Sequence, residues 1–246
     1  MLAQKLYYLT LMVAGFVNLT MSAALFFGNI NYRYYNIYRR ARILTGIFFA
    51  VFGVGFLLHY HFHWRLLWPM GATALSVSYF HIGGVAITWS HTSLLNPNYI
   101  SLRVVGRDLA FLVIGLSTYW LAAFSHERLV MNCALFLFFV HALLMTVEFY
   151  RTYNQVSRRL MEMRLGNIEA FMRWMLLSCH LIIMFGIGSV AFTALLPTAV
   201  WPYTVLLCVG TLVFIYIFYS ISEYGLVIDP ATNATEDIVG MSYYGG

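Results

Sequence analysis

Histidines are the residues of this chain best suited to proton or metal chemistry, and three of the eight lie deep inside apolar stretches. At about 1.5 Å per helical residue, His81, His141 and His180 come to a similar depth in those stretches. Ionisable groups inside hydrocarbon are costly and usually face other protein groups. We therefore predict an intramembrane polar core of these three histidines, joined by Glu148, which lies two helical turns after His141.

Three roles remain open for this polar core. Hydrogen bonds between its side chains would hold helices in register. Because imidazole titrates near neutral pH, the core would also serve as a proton- or ligand-responsive switch. The third role is a haem or zinc site with His81, His141 and His180 as ligands, since haem needs an axial histidine and zinc needs three or four ligands. We expect no cofactor and no catalytic residue, so the chain is not predicted to be an enzyme.

A second group, His59, His61 and His63, lies at the end of the second apolar stretch. If the helix continues through it, His59 and His63 share one face at the i, i+4 spacing of a helical metal clip. Two ligands do not make a metal site, however, and amphipathic residues such as the neighbouring Trp64 are common at membrane interfaces. We treat this group as an outer-rim candidate site.

A third group follows the third apolar stretch and is predicted to lie in a cytoplasmic loop: His91, Arg103, Arg107 and Asp108. Asp108 stands beside Arg107 at the predicted entrance of the next helix. That position indicates an interfacial ion pair or a helix cap, because charges at helix ends interact with the helix dipole. It does not suggest a proton carrier.

Seven apolar stretches must position these residues. Hydrophobic residues make up 61% of the chain and charged residues only 9%, against about 25% charged residues in soluble domains. Most stretches reach the roughly 20 residues needed to cross a bilayer, where a single apolar segment must be helical to satisfy its backbone. The sequence therefore predicts an all-α, polytopic membrane protein built as a bundle of seven transmembrane helices. The stretches are 7–27, 43–61, 67–89, 109–125, 129–149, 172–196 and 203–222.

Lysine and arginine divide unevenly between the two ends of this predicted bundle. Eleven lie in or near the connections that follow the odd-numbered helices, and three lie at the other end. Because cytoplasmic loops carry the excess of these residues, we predict that the N-terminus is outside and the C-terminus is cytoplasmic. Residues 1–222 then form the transmembrane domain, and residues 223–246 form a short mobile cytoplasmic tail.

The third stretch has the composition of a central helix. It is rich in glycine, alanine and serine, and small residues let helix backbones approach closely in lipid. The predicted outer connections are only about three to six residues long, so a stimulus would arrive through lipid or a shallow opening. We find no internal repeat, which weighs against a transporter built from two related halves.

The 33 residues from Ser76 to Asp108 carry a family resemblance. They resemble the N-terminal membrane part of bacterial AraC-type regulators, in which several helices precede a cytoplasmic helix-turn-helix domain. Helix number and topology extend the resemblance to about residue 222. The residues that carry it are Tyr79-Phe80-His81, Trp89-Ser90-His91, Leu94-Leu95-Asn96-Pro97 and Arg107-Asp108.

The resemblance implies a sensor or signalling domain in the bacterial inner membrane, with a stimulus that the residues do not identify. This chain departs from the family pattern after its last helix, because its final 24 residues contain no helix-turn-helix. We therefore expect no direct binding of nucleic acid by this chain. The expected partners are the lipid bilayer and either a cytoplasmic output domain or a second copy of the chain. The alternatives are a haem- or metal-binding membrane redox protein and a small-molecule transporter.

Overall fold

The computed structural model describes residues 2–28, 36–162, 168–196 and 198–244, with the backbone alone for 159–162, 168–171, 194 and 224–244. Arg33 and Arg164, which contribute to the predicted orientation, lie outside these ranges. Every regular element within them is an α-helix. The helices are α1 (Leu2–Phe27), α2 (Asn36–Phe62), α3 (Trp64–Leu67), α4 (Pro69–Leu95), α5 (Leu102–Ser125), α6 (Arg128–Glu162), α7 (Ile168–Leu195) and α8 (Val200–Tyr244).

Seven of the helices in the described ranges are long and apolar enough to cross a membrane; the exception is the single turn α3. Their outward faces carry large apolar side chains, such as Leu121, Phe136 and Met184, which are 61%, 71% and 71% exposed. Such faces are stable against hydrocarbon but not against water. The prediction of a helical, multi-pass membrane protein is therefore confirmed.

Most of the helices continue beyond the apolar stretches that predict them. Helix α5 begins at Leu102, seven residues before its apolar stretch, because the Ser101 side chain caps it by accepting a hydrogen bond from the Val104 N–H. Helix α8 continues to Tyr244, so the backbone of the predicted tail is helical as far as that residue. The α5 extension matters for the site, since it places Asp108 almost two turns inside a helix.

One connection contains a helix that the sequence did not predict. Helix α2 ends at Phe62, and His63 adopts a left-handed conformation with φ of 55°. The chain then forms α3 and enters α4 at Pro69, where proline fits because a helix's first N–H has no partner within the helix. We call this end of the bundle the α3 end, and the opposite end, which contains the connection 96–101, the arginine end.

Helix α4 occupies the centre of the bundle, as its composition predicts. Of its most apolar window, 83% is buried, whereas no other spanning helix exceeds 56%. It contacts α2, α5, α6 and α7. Most polar side chains on α4 are therefore directed at another helix.

Candidate functional site

Two histidines meet at the centre of the bundle. His81 of α4 and His141 of α6 are 1% and 0% exposed, and His81 Nε2 lies 2.8 Å from His141 Nδ1. Phe111 stacks on the His141 ring at 4.5 Å, and Phe138 packs edge-on against His81. The aromatic packing leaves the two imidazoles little freedom to rotate, so the hydrogen bond between them has a defined geometry.

Asp108 sets the direction of the hydrogen bonds through this pair. Its Oδ1 lies 3.1 Å from His141 Nε2 and accepts a hydrogen bond from Arg107 Nε at 2.8 Å, and its Oδ2 accepts one from Trp89 Nε1 at 2.7 Å. Because an ionised carboxylate only accepts, His141 must donate from Nε2, which leaves its Nδ1 as the acceptor. His81 must therefore donate from Nε2.

The same reasoning fixes the next bond. With its proton on Nε2, neutral His81 accepts at Nδ1, and the Tyr119 hydroxyl lies 3.0 Å from that atom. Tyr119 is fully buried on α5, so it donates its proton to His81. Three hydrogen bonds thus run in one direction through four side chains, from Tyr119 through His81 and His141 to Asp108.

Beyond Asp108 the contacts continue to the arginine end. Arg107 bridges Asp108 and Glu148, since both terminal nitrogens of its guanidinium bind the Glu148 carboxylate. The Tyr99 hydroxyl in the connection 96–101 donates to Glu148 Oε2 at 2.8 Å. Burial, and next the hydrogen bond to Glu148, raise the pKa of the Tyr99 phenol, so it stays protonated and remains a donor. The whole series forms the polar chain: Tyr119, His81, His141, Asp108, Arg107, Glu148 and Tyr99, with Trp89 bound at Asp108.

The polar chain joins a buried interior to a partly exposed end. Tyr119 and Asp108 lie about 16 Å apart along α5 at the rise of an α-helix. The side chains of Arg107 and Glu148 are 25% and 27% exposed, whereas that of Asp108 is fully buried. A proton added at His81 would shift toward Asp108 by exchanging donors and acceptors along the series, because each imidazole both accepts and donates. The arrangement is therefore suited to relaying a change of charge over this distance.

Two glycines of α5 differ in the space available for a side chain. A Cβ at Gly115 would lie 2.9 Å from the ring atoms of His81 and 3.1 Å from the Tyr119 hydroxyl, whereas nothing lies within 4 Å of a Cβ at Gly106. Aromatic rings cannot shift as a flexible chain end can. The absence of a side chain at Gly115 is therefore what lets His81 and Tyr119 meet.

His180 does not join the polar core, contrary to the prediction. It lies exposed on α7, where Nδ1 bonds the Leu176 carbonyl at 2.7 Å and Nε2 bonds the Tyr150 hydroxyl at 3.0 Å. Depth along a helix is readable from residue counts, but the direction in which a side chain points is not. His180 satisfies its ring nitrogens locally, on its own helix and on α6.

The outer-rim group is also divided by the structure. His59 is buried and bonds the Ser76 hydroxyl at 3.0 Å, whereas His61 and His63 are exposed. The i, i+4 clip between His59 and His63 is wrong, because the left-handed conformation of His63 ends the helix before it.

Arg65 supplies the centre of a buried cluster at the α3 end. It is 2% exposed and donates to the Tyr7 hydroxyl at 3.1 Å and to Ser76 at 3.0 Å. Its guanidinium also lies 3.5 Å from the centre of the Tyr203 ring, a favourable cation–π distance. This arginine, which the sequence places in a short outer connection, links α1, α3, α4 and α8.

The four residues predicted to lie in a cytoplasmic loop do not lie together in a loop. His91 is 2% exposed within α4, which continues to Leu95, so it does not lie in a loop. Arg103 is exposed near the start of α5. Arg107 and Asp108 do form the predicted ion pair, but Asp108 is neither interfacial nor a cap, because Ser101 caps α5 and Asp108 is buried.

His81, His141 and His180 do not come together as the ligands of a zinc site. The facing nitrogens of His81 and His141 bind each other, and His180 lies exposed on α7. Among the described residues no group of three or more histidine, cysteine or acidic side chains could hold a metal ion. A zinc site needs three or four such ligands.

Several members of the site were not predicted. Tyr119 and Tyr99 were not singled out, and Trp89 was named only for the family resemblance, although a buried tyrosine or tryptophan normally requires a hydrogen-bond partner. A usable signal was Tyr119 itself, a hydroxyl-bearing side chain near the middle of the fourth apolar stretch. Comparison with known proteins adds no relative, since no family model, curated protein or solved structure matches the chain.

Proposed function

We propose that this chain is an integral membrane sensor or signalling domain of the bacterial inner membrane, and that the polar chain is its switch. A switch needs two arrangements of similar free energy and a stimulus that favours one of them. The observation that supports the proposal is the continuity of contacts from the buried pair of His81 and His141 to the partly exposed pair of Arg107 and Glu148. A change of charge or packing at the first pair alters the contacts that hold the second.

The helices involved support the same proposal. The polar chain draws its side chains from α4, α5, α6 and the connection 96–101. Breaking the bond between His141 and Asp108 would release α6 from α5 in the interior, and Arg107 and Glu148 join the same two helices at the arginine end. The proposed output is therefore a displacement of α5 relative to α6 at the arginine end.

The proposed orientation places the arginine end in the cytoplasm. A reporter enzyme fused after Ser222 should be active in its cytoplasmic form and inactive in a form that requires export, because the lysine and arginine excess favours this arrangement. Paired β-galactosidase and alkaline phosphatase fusions would measure it. Alkaline phosphatase activity of a fusion after Ser222 would show that the C-terminus lies outside. The topology would then no longer support the regulator resemblance.

The proposed switch can be tested by a distance measurement between α5 and α6. Spin labels at Arg103 and Arg151, both exposed, would report the separation of the helices at the arginine end in lipid nanodiscs. We expect His81→Leu to change the distance distribution, because it removes the hydrogen bond to His141 that leads on to Asp108 and Arg107. The variant should still insert and fold.

The matched control is His61→Leu, since His61 is exposed and lies outside the polar chain. It should leave the distance distribution unchanged. A His81→Leu variant with the same distance distribution as the unmodified protein would refute a switch that runs through His81 and leave it as a packing residue.

A further inference from the structure

A cavity of about 370 Å³ lies between α4, α6 and α7, separate from the polar chain. That volume is within the range of small-molecule sites, which is roughly 300–1,000 Å³. Its lining is almost entirely apolar, and Phe52 of α2 and Phe214 of α8 close its far side. The lining alone would suit any hydrocarbon.

The cavity faces the surrounding lipid. Leu143 of α6 and Ile187 of α7 both line it, and they are 65% and 47% exposed on the outer surface of the bundle. Helices α6 and α7 contact α4 more extensively than they contact each other, so the opening lies between them. A molecule would therefore enter sideways from the bilayer.

One polar atom in this apolar lining has no partner among the described residues. His91 Nδ1 lies 3.1 Å from the Ile87 carbonyl of its own helix, and the other ring nitrogen, Nε2, is buried without a hydrogen bond. The ring is 2% exposed and packs against Trp174, with ring centres 5.9 Å apart. Leaving such an atom without a partner is unfavourable.

The chemistry of the missing partner follows from the tautomer. A carbonyl only accepts, so Nδ1 of His91 must carry the proton, and Nε2 of the neutral ring is an acceptor. The partner must therefore be a donor. A carbonyl, ester or carboxylate oxygen would not satisfy it, whereas a hydroxyl group would.

We propose that this cavity binds a lipid-derived molecule with a single alkyl chain and a terminal hydroxyl group, with the hydroxyl donating to His91 Nε2. Fatty alcohols and protonated fatty acids share this chemistry. The cavity extends from Phe80 to His91 along α4, which is about 16 Å and accommodates an extended chain. His91 lies only four residues before the end of α4 at Leu95, so the hydroxyl would sit near the headgroups and the chain would point toward the bilayer centre.

The binding site can be tested without any signalling output, so it stands or falls independently of the proposed function. The probe is tritiated 1-tetradecanol, added to the full chain in phosphatidylcholine nanodiscs, with empty nanodiscs measuring simple partition. We expect saturable binding of one molecule per chain. Tetradecane, which lacks the hydroxyl, should compete at least tenfold more weakly, since a site built around a polar partner rejects a ligand without it.

Glycine positions provide matched variants on one helix. Nothing lies within 4 Å of a Cβ at Gly186, which lines the cavity, or at Gly188, which does not. Gly186→Phe should fill the cavity and abolish saturable binding, and Gly188→Phe should bind as the unmodified protein does. Gly84→Leu fills the cavity from α4 and provides a second variant if Gly186→Phe does not fold.

The hydroxyl contact is tested by His91→Phe, which keeps an aromatic ring against Trp174 and removes the acceptor. It should weaken tetradecanol binding by roughly fivefold to tenfold, the effect of one lost neutral hydrogen bond. If unlabelled myristic acid displaces the labelled tetradecanol at about pH 5 but not at about pH 8, a protonated fatty acid is a ligand. If unlabelled tetradecanol displaces the label at both pH values, a fatty alcohol is a ligand. Absence of saturable binding, or equal competition by tetradecane, would overturn the proposal.

Discussion

Asp108→Leu is expected to lower the free energy of unfolding by about 3–5 kcal/mol, the usual cost of removing one partner from a buried charged network. The carboxylate is fully buried and accepts hydrogen bonds from Trp89, Arg107 and His141. Leucine has a similar size but accepts no hydrogen bond, so all three donors lose a partner. Reversible unfolding in mixed micelles would measure the change.

Two comparisons distinguish this effect from a general effect of removing a charge. Glu127→Leu removes an exposed acid at the start of α6 and should change the free energy of unfolding by at most about 1 kcal/mol, the usual effect of an acid at a helix N-terminus. Asp108→Asn should fall between the two, since an amide keeps one acceptor oxygen but directs its NH₂ at a donor. An Asp108→Leu variant as stable as the Glu127→Leu variant would show that the hydrogen bonds of Asp108 contribute nothing measurable to stability.

Gly115→Val is expected to lower the free energy of unfolding by about 1–3 kcal/mol, the range for overpacking a well-filled interior. The new side chain would overlap the His81 ring and the Tyr119 hydroxyl. It should also break the bond between them, which nitrogen NMR of the His81 imidazole would detect as a change at Nδ1.

The control for this variant lies on the same helix. Gly106→Val adds the same side chain, with the same effect on helix propensity, at a position with nothing within 4 Å. Its stability and the His81 signal should match those of the unmodified protein. An equal loss of stability in both variants would show that the effect arises from the α5 backbone and not from the contact with His81.

The sequence predicted which segments are helices better than it predicted where they end. Apolar composition located all seven spans, because hydrocarbon requires both length and low polarity. It placed the start of the fourth span at Leu109, since Arg107 and Asp108 interrupt the apolar pattern. The structure shows that α5 includes them, because a buried ion pair with further hydrogen bonds is tolerated inside the bundle.

The sequence predicted how deep the residues of the candidate site lie in the membrane, but not the direction in which their side chains point. His81 and His141 were expected in the interior at the same level, and they contact each other there. His180 was expected beside them and lies on the outside of α7. A change of one residue turns a side chain by about 100° around a helix, so the facing direction depends on neighbours whose order the sequence does not reveal.

The central position of α4 also bears on how the protein enters the bilayer during synthesis. Among the seven candidate spans α4 is the least apolar and the most buried, and it carries Ser76, His81 and His91 in the membrane span. Such a segment partitions weakly into lipid on its own. Its polar groups find partners on α2 and α3, made before it, and on α5 and α6, made after it. Integration of α4 is therefore a cooperative step, in which the helix leaves the insertion machinery together with its neighbours and not ahead of them.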